Sequence, residues 1–432
     1  MAAGAGEAGK EVRLENSGAW RTTKSARSAG LVSGSLTAPG EDIEQWYLHR
    51  NKLQFSCGAK DCLQMNEEHF NGFRNNFGAL RILLAMAVVF SDSFLLGDGV
   101  TDADPMKRFN HRQAITGHVA VDLFFIMSGY LVALSLMRDP VLPRYFWRRI
   151  RRVYPGFILA AVFSFLIVLP LGGGKITPPG HMSAALDFLY RILRLGWPTY
   201  GRAFHANPFP DEVNQSLWSI PYGFWCYILA AVLSMIGVLR SRYRVLILAV
   251  LLVLAIAFGG WALATHWFPA PHFALATIGY PGMWAMLLPM FLGGMLLATV
   301  KDRLPVKGWI AGAALAGLAI AAQIPYGWAP MVPIAGTYLL FYLAYAPTIR
   351  LWRATAWGDP SYGTYLLSFP IQQMIVRHSV HGGAGRTMPP YLLFAESVPI
   401  SLAAGYASWH LVERWFVARD TPMAEKRSAS DA

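Results

Sequence analysis

The sequence predicts an all-α fold, a polytopic membrane helix bundle of about ten transmembrane helices. Of the 432 residues, 54% are hydrophobic and only 14% are charged, a balance too apolar for an ordinary soluble protein. From residue 77 onward, apolar runs near the ~20 residues needed to cross a hydrocarbon core recur between short polar breaks. The predicted spans are 77–97, 119–137, 153–171, 216–237, 243–264, 277–299, 309–323, 330–347, 361–377 and 391–414.

The Lys and Arg residues between these spans predict their orientation. The breaks after the second, fourth, sixth and eighth spans hold six, three, three and two of them, whereas two of the intervening loops hold none. Because positively charged loops stay on the cytoplasmic side, both termini should be cytoplasmic. The formal net charge of +12 has the same explanation, so no nucleic-acid partner is predicted.

Polar segments flank the predicted spans. Residues 1–74 are rich in Gly, Ala, Ser and charge and lack the compact apolar core of a signal peptide, which predicts a polar, disordered cytoplasmic N-terminal tail. Residues 75–416 form the predicted transmembrane domain, and residues 417–432 form a short cytoplasmic C-terminal tail. The three cysteines are too few for a disulfide scaffold and lack the companion ligands of a zinc site, so no metal is predicted.

Two ionisable residues inside the first span are the first candidates for function. Arg81 lies near its cytoplasmic end, and Asp92 follows eleven residues later, about 16 Å further along the axis. Since this spacing is close to three turns, both side chains share a face and are predicted to point into the bundle. The alternative for Arg81 is a side chain that only reaches the lipid headgroups.

Polar residues of the later spans extend this set. In RYFWRRIRRVYPGF, Arg149 and Arg152 lie three apart on one helical face, as do Arg148 and Arg151, and such a guanidinium cluster suits phosphate groups. The alternative is that these charges only set the membrane orientation. Further candidates for the acceptor site or its pathway are Asp122, Ser128, Asn214, Trp218, Tyr222 and Tyr362.

Seven stretches, in this order, carry a resemblance to a known family. They are ALRILLAMAVVFSDSF, GHVAVDLFFIMSGYLVALSLMRDP, YFWRRIRRVYPGF, VNQSLWSIPYGFWCYIL, MFLGGMLLATVKDRLP, GDPSYGTYLLSFPIQQ and WHLVERWF. Together they resemble the acyltransferase 3 family of bacterial integral-membrane acyltransferases. The resemblance implies a ten-helix core in the inner membrane that moves an acyl group, usually acetyl, from cytoplasmic acyl-CoA to an acceptor hydroxyl on the outer side. The implied partners are the lipid bilayer, acetyl-CoA as donor substrate, and a glycan or similar acceptor.

The resemblance also implies roles for single residues. Arg81 matches the Arg that opens the family's Arg-x10-His signature, and Arg149 with Arg152 matches its Arg-x-x-Arg pair, implied to bind the phosphates of CoA. Asp92 stands at the position of the signature's His and is thereby the second implied catalytic residue. In the fourth span, Gly223 stands where the family pattern has Glu.

These departures, with a third at Trp415 where the closing motif has Pro, leave three hypotheses. The first is an active O-acyltransferase in which Asp92 removes the acceptor's hydroxyl proton, a task for which neutral imidazole is better suited. His111 and His118, in or beside the loop after the first span, are candidate substitutes. The second hypothesis is a catalytically impaired homologue with a binding or regulatory role. The third is a transporter, although no inverted repeat is evident in the sequence.

Overall fold

The described part of the chain consists of helices joined by turns and loops. The computed structural model describes residues 75–175, 183–196, 203–265, 279–381 and 387–417. None of these residues forms a strand, so the predicted all-α class is confirmed for them. The predicted tail 1–74 and nearly all of the predicted tail 417–432 lie outside the described residues.

The helices are labelled in chain order. They are α1 (Phe77–Asp98), α2 (Pro105–Phe109), α3 (Thr116–Arg138), α4 (Leu142–Val162), α5 (Ala184–Leu193), α6 (Ser219–Met235), α7 (Arg244–Thr265), α8 (Pro281–Val300), α9 (Gly308–Gln323), α10 (Trp328–Met331), α11 (Thr337–Tyr345), α12 (Ser361–His381), α13 (Pro390–Ser408) and α14 (Arg414–Val417). π-helical turns continue three of them. The turn Phe163–Val168 extends α4 to Leu169–Leu171, Val332–Gly336 joins α10 to α11, and Trp409–Glu413 joins α13 to α14.

Six helical segments of the described residues are long and apolar enough to cross a membrane. They are Phe77–Asp98, Thr116–Arg138, Leu142–Leu171, Gln215–Met235, Arg244–Ala262 and Pro281–Arg303. Helix α9 is apolar but shorter, and its length of about 24 Å falls short of the hydrocarbon core. Helices also occupy the last three predicted spans, but the predicted count of about ten is not confirmed. One reason is that α12 carries polar side chains such as Gln372 and Gln373.

The third predicted span, 153–171, begins too late. Helix α4 begins at Leu142, so Arg149 and Arg152 belong to the helix and not to a loop between spans. Pro143 in the first turn marks this start, since proline is well tolerated there. Apolar periodicity could not show where α4 begins, because its first turns are rich in arginine. Arginine is a good helix former but gives no apolar signal.

The side chain of Asn76 fixes the start of α1. Its Nδ2 donates hydrogen bonds to the carbonyl oxygens of Leu343 and Ile349 at 3.0 and 2.9 Å, and its Oδ1 accepts one from the backbone N–H of Leu351 at 2.9 Å. The helix ends at Gly99, whose φ of 78° is the left-handed conformation that favours glycine. These contacts hold the Arg81 end of α1 against the chain that leads from α11 to α12.

Helices α3 and α8 meet in a direct backbone contact. A Cβ atom on Gly129 would lie 2.0 Å from the carbonyl oxygen of Phe291, and one on Gly294 would lie 1.9 Å from that of Ile126. Small residues allow such close approach between membrane helices, where van der Waals packing replaces the hydrophobic drive of water. Phe291 and Ile126 are fully buried, so this contact lies in the core.

We predict that Gly129→Ala and Gly294→Ala each destabilise the protein by roughly 1–3 kcal/mol, because the added methyl group overpacks a rigid backbone contact. The measurement is the thermal unfolding midpoint in detergent. Gly312→Ala on α9 is the matched control, because a Cβ there meets nothing within 4 Å. Equal midpoints for all three variants would contradict the close contact.

Candidate active site

A cavity of about 200 Å³ lies among α1, α3, α4, α6 and the first turns of α12. Five of the residues selected from the sequence line it: Arg81, Ser128, Arg149, Arg152 and Tyr362. They come from four helices that are distant in the sequence. The fold therefore brings the predicted phosphate-binding arginines together with Arg81, the first implied catalytic residue.

Asp359, in the turn before α12, joins two of these arginines. Its Oδ2 forms an ion pair with Arg81 Nη1 at 3.1 Å and accepts a hydrogen bond from Arg152 Nη2 at 2.9 Å, while its Oδ1 accepts from the hydroxyl of Ser361. Burial acts to raise the pKa of Asp359, but the two guanidinium groups and Ser361 outweigh it and lower this pKa to about 2. The carboxylate is therefore ionised at neutral pH and holds α1, α4 and α12 together.

Arg152 has further contacts that fix its position. Its Nη1 lies 3.8 Å from Oε2 of the buried Glu413, whose Oε1 accepts from the Ser408 hydroxyl at 2.7 Å. Its guanidinium also lies over the rings of Tyr362 and Trp409, at 6.0 and 5.8 Å from their centroids. Arg152 is thus a preorganised cation, held by two carboxylates and two aromatic rings.

Arg149 differs because it has no acidic partner in the described part of the chain. Its guanidinium lies 5.5 Å from the ring centroids of both Tyr145 and Tyr227, and its buried Nε has no hydrogen-bond partner there. The two rings orient the side chain, and no carboxylate among the described residues neutralises its charge. Arg149 can therefore accept an anionic ligand that enters the cavity.

Arg148, the third predicted donor-binding arginine, has a partner outside the cavity. Its Nη1 donates to Asp139 Oδ2 at 3.0 Å, and Arg144 donates to the same oxygen at 3.1 Å. Arg148 does not line the cavity within the described residues. A role for it in donor binding stays a prediction.

Uncharged polar side chains line the end of the cavity that lies away from the arginines. The Ser219 hydroxyl and the Tyr365 hydroxyl form a buried hydrogen bond of 2.6 Å, and both residues line the cavity. Asp92 is partly buried and lies close enough to Tyr365 for their charges to interact. Asp92 does not line the cavity and forms no ion pair with Arg81 among the described residues.

Gly223 lies on the wall of the cavity between its two ends. A Cβ atom at this position would meet nothing within 4 Å. The position at which the resemblance expects Glu is therefore open space in this chain.

The remaining candidates lie around the cavity rather than on its wall. The Asn214 amide donates to Ser164 Oγ and to the Leu366 carbonyl, both at 2.9 Å, so packing accounts for it. Asp122 is buried on α3. Trp218 and Tyr222 form an edge-to-face ring pair, and the Tyr222 hydroxyl accepts from the Tyr280 backbone N–H at 2.7 Å. A role for these two residues in an acceptor pathway stays a prediction.

Sequence reasoning did not select Asp359. An Asp followed by Pro and Ser at the start of a helix is typical of a capping residue, and Asp359 does accept from the Ser361 N–H at 3.3 Å. Its pairing with Arg81 joins residues far apart in the chain, which local periodicity cannot show. Glu413 belongs to the motif WHLVERWF, and its burial beside Arg152 likewise depends on tertiary packing.

Residues 74–409 match the model of a known protein family, described as an acyltransferase domain. This match covers most of the chain. The chain belongs to this acyltransferase family. Together with its apolar helices, this membership makes the chain a multi-pass membrane acyltransferase, and the resemblance drawn from the sequence motifs is confirmed.

The individual relatives have sequence identities of 25% to 28% to this chain. The chain is 25% identical over 359 residues to the "O-acetyl transferase" of Shigella phage Sf6, which covers 81% of this chain and 97% of that protein. It is 26% identical over 389 residues to "Nodulation protein 10" of Rhizobium leguminosarum bv. viciae, covering 84% of this chain and 98% of the relative. A shorter likeness, 28% over 150 residues, links it to "Protein 2 in picA locus" of Rhizobium radiobacter and covers 30% of this chain and 73% of that protein. No solved structure matches the chain.

We predict that Asp359→Asn lowers the free energy of unfolding by roughly 1–3 kcal/mol, because two guanidinium groups lose a charged acceptor. The folded-state pKa of about 2 lies below the ordinary 3.8, so this contribution is complete at neutral pH. It is lost as the pH falls toward 2, and the gap between wild type and variant should narrow over that range.

The measurement is thermal unfolding in detergent at several pH values. Asp302→Asn is the control, since Asp302 is largely exposed and pairs with its neighbour Lys301. A common midpoint for the two variants at neutral pH would show that the Asp359 bridge contributes no stability.

Proposed function

We propose that this protein is a membrane O-acyltransferase that moves an acyl group, acetyl in the first instance, from cytoplasmic acyl-CoA to a hydroxyl of a glycan or similar acceptor on the outer side. Membership of the acyltransferase family and the likeness to a phage protein named O-acetyl transferase support the reaction class. The assignment of the donor rests on Arg149, a cation at the cavity without an acidic partner among the described residues.

The arginine end of the cavity suits the donor. CoA carries a 3'-phosphate and a pyrophosphate, and guanidinium groups bind phosphate oxygens through paired, charge-assisted hydrogen bonds. Arg81 and Arg152 are already oriented by Asp359, and Arg149 has no acidic partner among the described residues. The positive-inside rule favours a cytoplasmic position for this end, and with it an inner-membrane protein whose termini are cytoplasmic.

The remainder of the cavity suits the acyl arm. From the arginines it leads past Gly223 to the hydrogen-bonded pair of Ser219 and Tyr365. Phe124, Phe125 and Leu131 of α3 supply apolar wall on the way. A thioester that enters from the cytoplasmic side would present its carbonyl to an acceptor hydroxyl that arrives from the other side, out of contact with bulk water.

The experiment that tests the donor site is thiol release from acetyl-CoA by the purified protein in lipid, with a surface-glycan extract as acceptor. We expect Arg149→Gln to raise the KM for acetyl-CoA by about tenfold or more, because the variant loses a hydrogen bond to a charged phosphate group. Arg144→Gln is the matched control, because Arg144 lies on the same helix, is 63% exposed and pairs with Asp139.

Two results would contradict this proposal in different ways. If the wild-type chain releases no thiol with any acceptor extract, the second hypothesis, a homologue without catalytic activity, replaces it. If thiol is released but Arg149→Gln and Arg144→Gln show the same KM, the donor does not bind at the arginine end of the cavity.

We further predict that Gly223→Phe blocks the path without unfolding the protein, since the new side chain enters open space. The rate of acyl transfer should fall by about 100-fold or more, because the thioester can no longer reach its acceptor. The thermal midpoint should stay unchanged. Gly260→Phe, at an exposed position of α7 that is also free of neighbours within 4 Å, should leave the rate unaffected. A fully active Gly223→Phe would show that the acyl arm takes another route.

A further inference from the structure

We infer that a second cleft, formed by Trp357, Trp409, His410 and Arg414, binds the adenosine 3'-phosphate portion of the CoA donor. The adenine stacks on the exposed ring of Trp357, and the 3'-phosphate pairs with Arg414. This inference rests on the proposed function, because it locates the part of the proposed donor that the cavity of about 200 Å³ is too small to hold.

The cleft is large enough for a nucleotide. Its volume is about 630 Å³, which falls among the volumes of pockets that enclose small ligands. Its walls are residues 355–358, in the chain that leads to α12, and three side chains of the π-helical turn and the start of α14. None of the described residues that line it is acidic. An anionic ligand therefore meets no carboxylate on these walls.

Two contacts place this cleft beside the arginine end of the cavity. Gly358 lines the cleft, and the next residue, Asp359, pairs with two arginines of the cavity. Trp409 also lines the cleft, and its ring centroid lies 5.8 Å from the guanidinium group of Arg152. In CoA the pyrophosphate is joined to the adenosine through the ribose 5'-oxygen. A pyrophosphate bound at Arg152 therefore brings its adenosine to the cleft.

His410 fixes both groups that touch the nucleotide. A carbonyl oxygen only accepts, so His410 Nε2 donates to that of Trp357 at 2.9 Å. The other ring nitrogen, Nδ1, then accepts from Arg414 Nη1 at 3.3 Å. One imidazole in this tautomer thus holds the backbone of Trp357 and the guanidinium group of Arg414 at the same cleft.

The Trp357 ring is open to a stacking partner. It is 84% exposed, the largest exposed fraction among the large hydrophobic side chains of the described residues. Trp409 is held more tightly, because a Cβ atom on Gly358 would lie 2.3 Å from its Cδ1. Nucleobases stack on such aromatic rings through their π-faces. Trp409 is therefore a fixed wall of the cleft, and Trp357 is the ring that a base can cover.

Arg414 supplies the positive charge of the cleft. Its guanidinium group lies 4.7 Å from the ring centroid of Trp415, and no carboxylate among the described residues neutralises its charge. Guanidinium groups pair with phosphate oxygens through charge-assisted hydrogen bonds. The ring and the cation together match the two recognisable parts of an adenosine 3'-phosphate.

Lipid headgroups are the competing ligand, since Trp and Arg side chains are common at membrane interfaces. The contact between Trp409 and Arg152 favours the nucleotide, because it joins the cleft to the end of the cavity that suits the donor's phosphates. A lipid phosphate would not require this connection.

The test is the affinity of the purified protein for CoA, measured by isothermal titration calorimetry in detergent. We expect Trp357→Ala and Arg414→Gln each to raise the Kd for CoA by about tenfold, through the loss of a stacked base or of a phosphate contact. Both residues are exposed, so the thermal unfolding midpoint should stay unchanged.

The matched controls are Trp309→Ala and Arg353→Gln. Trp309 is 71% exposed, and Arg353 lies on an aromatic ring as Arg414 does, 4.9 Å from the ring centroid of Trp352. Neither residue lines the cleft in the described part of the chain. Both control variants should bind CoA as the wild-type protein does.

Shortened donors separate the nucleotide from the acyl arm in the assay of thiol release. Trp357→Ala should raise the KM for acetyl-CoA by about tenfold and leave unchanged the KM for acetyl-pantetheine, which has no nucleotide. Arg414→Gln should raise the KM for acetyl-CoA and leave unchanged the KM for acetyl-dephospho-CoA, which lacks the 3'-phosphate.

The outcomes distinguish this site from the proposed reaction. If the wild-type protein binds CoA and both cleft variants bind it equally well, the nucleotide site is wrong and the proposed function stands. If Trp357→Ala impairs acetyl-CoA and acetyl-pantetheine alike, or only as much as Trp309→Ala does, Trp357 acts through the membrane and the nucleotide site is again wrong. If CoA binding depends on Trp357 and Arg414 but no thiol is released, the site stands and the proposed reaction fails. If the wild-type protein does not bind CoA, both fail.

Discussion

A single carboxylate oxygen, Oδ2 of Asp359, forms ion pairs with guanidinium groups on two helices that lie far apart in the sequence. Because this atom lies in the turn before α12, it sets the relative position of α1, α4 and α12 at one end of the cavity. A guanidinium group has five N–H donors, so an arginine that shares one oxygen keeps most of them. The bridge orients Arg81 and Arg152 and leaves both able to bind a second anion.

The size of the cavity limits what enters it. Pockets that enclose a whole drug-sized ligand measure roughly 300–1,000 Å³, whereas this one measures about 200 Å³. In the proposed reaction, only the acyl arm of the donor fits inside, with its phosphates at the arginine mouth and its nucleotide outside. The acceptor glycan must likewise stay outside and present one hydroxyl at the opposite end, so the acyl group is the part that crosses the bundle.

The arginine end of the site was predictable from the sequence because its signal is local. Arg149 and Arg152 share a helical face by their spacing, and Arg81 is recognisable as a charge inside an apolar run. Asp359 was not predictable, since its bonds to Arg81 and Arg152 depend on tertiary packing. The same limit explains Arg148, which lies within the same dense cluster and bonds Asp139 outside the cavity.

The fold shows a similar division between local and tertiary information. Apolar runs located a helix at every predicted span, because hydrophobicity is read along the chain. They could not show that α4 begins at Leu142, where arginines replace apolar residues. They also could not show that α3 and α8 touch through Gly129 and Gly294, because a glycine in an apolar run has the same local pattern wherever its helix packs.

Gly223 is the departure from the family pattern whose consequence is visible in the cavity. It lies on the cavity wall, and a Cβ atom there would meet nothing within 4 Å. A carboxylate at this position would add a negative charge to the wall that also carries Arg81, Arg149 and Arg152, and would compete with an anionic ligand for their guanidinium groups. Glycine keeps this part of the wall uncharged, which is consistent with the proposed passage of an acyl arm along it.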